Sequence, residues 1–82
     1  MTSHVFKLIP GPDDTLVAKV ARGDAETLAW LKEHAHDLRD MYRERLAIRE
    51  VDAGLDPGTA AALAAEDVTK DAARLMREGG LQ

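Results

Sequence analysis

Cysteine is absent from this 82-residue chain, which excludes disulfides and thiolate metal sites and suits a reducing compartment. Aromatic residues are scarce: Phe6, Trp30 and Tyr42 stand alone in their classes. An interior built instead from Leu, Val, Ile, Met and many Ala favours closely packed helices over a deep ligand cavity. Ser3, the only serine, stands at an end expected to fray, and with cysteine absent no serine or cysteine triad is evident, so an enzyme is not expected. No apolar run approaches the roughly 20 residues that span a bilayer, and Met1 to Lys7 lacks the apolar core of a signal peptide. A soluble, cytoplasmic protein is the expectation. Excess positive charge is also missing. A net charge of −4 and a pI near 5.2 argue against non-specific phosphate binding as the main activity.

The residues present predict a single small α+β domain over 1–82, mostly helical. Val5 to Ile9 and Leu16 to Val20 are β-branched, partly alternating runs joined by the turn formers Pro10-Gly11-Pro12-Asp13-Asp14. They predict a β-hairpin over 4–21, with Phe6, Leu8, Leu16, Ala18 and Val20 facing the helices and Lys7 and Lys19 on the opposite faces of their strands. A two-stranded ribbon is marginal in water, so it must lean on the helices or pair with a second copy.

From Asp24 to Ala53 the chain reads as one long helix of about eight turns, a rod of roughly 45 Å, capped by Asp24 and stopped at Gly54. Asp56 and Pro57 then open a second helix over 57–78 that ends at Gly79-Gly80. The short link makes the helices antiparallel neighbours. Ala61, Ala64, Ala65, Val68, Ala72, Leu75 and Met76 share a narrow face of the second helix, slim enough for close approach of the first, while Leu63 falls outside it.

On the long helix, Leu28, Leu31, Ala35, Leu38, Tyr42 and Leu46 form a core stripe. Trp30, Met41 and Ile48 form a second stripe offset by about 100°, which predicts a contact with another chain, most simply in a homodimer. Between the stripes lie Thr27, His34, Arg45 and Asp52, a polar seam inside the fold or at a subunit interface. Trp30, Met41, Ile48, His34 and Arg45 are therefore the candidate interface residues.

Glu33, His36 and Asp40 have a helical spacing that invites comparison with carboxylate-bridged di-iron elements. The second helix supplies no histidine, and all three lie on the polar side of the wheel, so no metal site and no cofactor are expected. Arg39, Arg43, Arg45 and Arg49 make the second half of the long helix locally basic, the basis of an alternative reading as a DNA-binding regulator. Asp40, Glu44 and Glu50 interleave with them, and a mixed-charge face is the better account. The six glycines all fall at turns or helix ends, which leaves no phosphate-cradling loop. The leading expectation is a non-enzymatic protein–protein interaction module, a stoichiometric accessory, adaptor or inhibitor of bacterial or phage type. A small metal-binding protein is the third reading.

Overall fold

The computed structural model describes residues 6–80; positions 4 and 5, where the hairpin was expected to open, and the lone Ser3 lie outside the described residues. Strands β1 (Phe6–Pro10) and β2 (Leu16–Val20) form an antiparallel hairpin. Helices α1 (Ala25–Glu33), α2 (Ala35–Val51) and α3 (Pro57–Leu75) follow, and a π-helical turn, Met76–Gly80, prolongs α3. This is the expected mostly helical α+β order.

The hairpin register pairs Phe6 with Val20, Leu8 with Ala18 and Pro10 with Leu16 on one face, and Lys7 with Lys19 and Ile9 with Val17 on the other. A 3-10 turn, Pro12–Asp14, joins the strands, with Asp13 and Asp14 both left-handed at φ 55° and 59°. Asp tolerates that region better than most side chains because its short carboxylate can bond locally. Leu8 is buried and leads the inner face into the core.

Helices α1 and α3 start with the same device, an aspartate three residues before a threonine. Asp24 accepts the Thr27 amide (3.2 Å) and hydroxyl (2.7 Å), and Asp56 accepts the Thr59 amide (3.1 Å) and hydroxyl (2.8 Å). Each carboxylate satisfies an amide that has no partner inside its helix. The Thr59 hydroxyl and amide hold the Asp56 carboxyl below its ordinary value of 3.8. Its contribution to stability is thus complete above about pH 3.8 and is lost as pH falls through the lower folded value. Asp56→Ser keeps an acceptor without a titrating charge. The gap in thermal midpoint between wild type and this variant is expected to shrink on acidification below that pH, and a gap constant with pH would refute the assignment.

The helix expected to run unbroken from 24 to 53 is divided at His34. There the backbone takes φ −102° and ψ 13°, and the Trp30 carbonyl receives both the His34 amide (3.0 Å) and the His34 ring Nδ1 (2.8 Å). The ladder bonds on both sides are kept, since the Leu38 amide also reaches the His34 carbonyl (3.0 Å), so the ring adds a second donor to the Trp30 carbonyl where the backbone leaves helical angles. The Trp30 and His34 rings stack there with centroids 4.0 Å apart. No 45 Å rod forms. The longest straight piece of this run is α2, about 26 Å at the helical rise, in a molecule whose long axis is 40 Å. Past Val51, Gly54 at φ 66° turns the chain and the Leu55 amide returns to the Arg49 carbonyl (3.2 Å).

The core lies where α2 meets α3. Leu38, Tyr42 and Leu46 pack against Ala60, Ala64, Ala65, Val68 and Ala72, five small or β-branched residues almost without exposure. Ala60 joins this face although it falls outside the sector read from the sequence, whereas Leu75 is 40% exposed. On one flank Arg49 donates to Asp67 through both Nε (2.9 Å) and Nη2 (2.7 Å), while Asp71 is shared by Arg45 and Arg74 at 3.5 Å each. Between the hairpin and α3, Thr69 Oγ1 accepts the Leu8 amide (3.0 Å) and donates to the Ala65 carbonyl (2.8 Å). The hairpin therefore leans on α3 along its β1 edge.

Candidate functional site

Leu16 and Ala18 of β2 face α1 and the start of α2 across an open groove of about 380 Å³. Leu8 and Leu38 form its floor, and Leu28, Leu31 and Ala35 its far wall. Leu31, Leu8 and Leu38 are buried, but Leu28 remains 39% exposed, so the wall is apolar up to the rim. The rim itself is cationic. Lys32 and Arg39 stand there, and among the described residues neither makes an ion pair. In a chain of net charge −4, two uncompensated cations beside an apolar trough favour an apolar ligand carrying carboxylates.

The groove runs beside an unpaired strand edge. Because the Leu8 amide points to Thr69, the Leu8–Ala18 pair cannot be one that exchanges hydrogen bonds; those are Lys7–Lys19 and Ile9–Val17. The amides and carbonyls of Leu16, Ala18 and Val20 therefore point away from β1. No backbone bond from the described residues reaches them. The opposite edge is partly covered, since Thr69 takes the Leu8 amide and Pro10 has no amide to offer.

The residues singled out from the sequence do not form one surface. Trp30 is buried (4% exposed) and stacked on His34, so it belongs to the interior and to the kink; Met41 is half-buried against the core; Ile48 alone is open, at 46%. The polar seam is likewise divided: Thr27 is fully buried beside its cap Asp24, His34 is at the kink, Arg45 lies on the flank with Asp71, and Asp52 is exposed at the end of α2.

The arginines do not make a free basic stripe either. Arg45 and Arg49 are engaged by Asp71 and Asp67, and among the described residues Arg39 and Arg43 make no ion pair. His36 Nε2 lies 3.4 Å from Asp40 on an open face, with side-chain exposures of 87% and 61%. Among the described residues no three His, Cys, Asp or Glu side chains converge as a metal site would require. No helix among them is long and apolar enough to cross a membrane.

The residues that sequence reasoning missed are those of the groove. Leu16, Ala18, Leu28, Leu31 and Leu38 carry ordinary core patterning, and only the placement of α1 against β2 turns them into an open trough. Compared with known proteins, the chain matches no family model, no curated protein and no solved structure.

Proposed function

We propose that this chain is a small, non-enzymatic, cytoplasmic protein–protein interaction module, a stoichiometric accessory, adaptor or inhibitor protein that acts by engaging another polypeptide along its β2 side. The observation that carries the reading is the apolar groove with its cationic rim. A segment laid in the groove buries apolar side chains against Leu28 and Leu31, while Lys32 and Arg39 attract its carboxylates. Nothing in this mode calls for bond making or a cofactor.

Photo-crosslinking in the source cell tests it. A photoreactive residue in place of Leu28 is expected to trap one other protein at equal stoichiometry, and the same group in place of Glu66, exposed on α3, to trap little. Equal yields from the two positions, or crosslinks from position 28 only to the chain itself, would overturn the reading.

A further inference from the structure

We infer that β2 pairs with β2 of a second copy, in an antiparallel two-fold arrangement with the axis at Ala18, joining two hairpins into one four-stranded sheet. This rests on the reading above in using the same side of the molecule, and it names a specific occupant of the edge.

The edges of the hairpin are unlike. β1 is covered at its centre by Thr69 and lacks an amide at Pro10, and β2 offers three residues, Leu16, Ala18 and Val20, whose backbone groups are free to bond outward. An open edge next to a free edge of the same sequence is a template for pairing, and identical antiparallel edges meet naturally about a two-fold axis. The register follows from counting. With the axis at Ala18, Leu16 of each copy faces Val20 of the other and Ala18 faces itself, so all three outward residues exchange both of their bonds. Shifting the axis to Val17 or Lys19 leaves one outward residue of each strand unmatched, and the axis at Lys19 also sets two lysines directly opposite, which is repulsive.

The side chains agree with this register. Ala18 is exposed and has the smallest side chain on β2, and it falls at the axis, where two copies of one side chain must share the same space. Lys19 lands opposite Val17 of the second copy, which is 44% exposed, and not opposite another lysine. Just past the strands, the acidic turn Asp13-Asp14 of one copy is carried alongside Arg22 of the other, twice over by symmetry. All three are exposed, and among the described residues none makes an ion pair. The pairing also relieves a general weakness, because a two-stranded ribbon becomes a sheet of four strands.

The experiment uses the full chain. Light scattering is expected to give a dimer mass at about 10 μM. Ala18→Pro removes an outward amide that the hairpin itself does not use, at an edge position where proline is tolerated. It is expected to keep the circular dichroism of wild type and to give a monomer at concentrations a hundredfold higher. Arg22→Glu, outside both strands, is expected to weaken the dimer about tenfold and provides the test if the proline variant fails to fold. A wild type monomeric at about 100 μM, or a dimer indifferent to both substitutions, overturns the inference. Crosslinking of a foreign protein from position 28 reads the interaction-module proposal separately: a monomer that still gives that crosslink refutes the pairing alone.

Discussion

Truncating Tyr42 to alanine is expected to cost about 3–5 kcal/mol, the range for removing a large aromatic side chain from a core. Tyr42 is 1% exposed and stands midway along the α2 face that meets α3, between Leu38 and Leu46. Around it are alanines and a valine, which have little length with which to close the void. For a domain of this size each kcal/mol shifts the thermal midpoint by about 4–8 °C, so a fall on the order of 12–40 °C should be seen by circular dichroism. Tyr42→Phe separates volume from hydroxyl and is expected to retain most of the midpoint. The hydroxyl has its own signature. Burial, with the Asp14 and Glu50 carboxylates adding to it, raises the phenol above its ordinary value of 10.0. The contribution is therefore whole below about pH 10 and is lost as pH rises through the folded value, so Tyr42→Phe should resist alkaline destabilisation better than wild type. A Tyr42→Ala midpoint within a few degrees of wild type would mean that α2 and α3 do not meet as described.

Enlarging a side chain at the same interface should be harmful in the opposite sense. Ala64 has no exposure and, with Ala65 and Ala72, forms the strip of α3 on which α2 lies. Ala64→Leu adds three carbons where the helices are held close and is expected to destabilise the protein by about 1–3 kcal/mol, read as a lower urea midpoint at unchanged slope. Ala62 is the matched control, an exposed residue of the same helix, where leucine should cost almost nothing. Equal effects at 62 and 64 would contradict the face assigned to α3.

What the sequence disclosed is mostly local. Asp24 and Asp56 cap the helices they were expected to cap, Gly54 stops α2 with a positive φ, and the hairpin has the inward and outward faces that alternation implies. Such features depend on neighbours within four residues. The kink at His34 was hidden because helical periodicity passes through it undisturbed, and the bond from its ring to the Trp30 carbonyl is a choice of rotamer that spacing does not encode. Trp30 lies in the core while Ile48 is open, so the stripe read from spacing is not one surface. The groove was illegible for a related reason. Leu28 and Leu16 look like core residues anywhere in a sequence, and their partial exposure follows from how far α1 stands from β2, a distance set by long-range packing.

The bond from the Leu8 amide to Thr69 joins residues 61 apart in the chain. During synthesis β1 is made early and the threonine that covers it late. At the usual pace of about 5–20 residues per second, the interval is roughly 3–12 seconds. Throughout that time both sides of the nascent ribbon are bare, a hazard for sticking to other nascent chains. The facing lysines at 7 and 19, mildly unfavourable in the finished fold, are suited to that interval, because ribbons stacked through this face would bring four cations together. A feature that contributes little to the finished protein thus guards it while it is still being made.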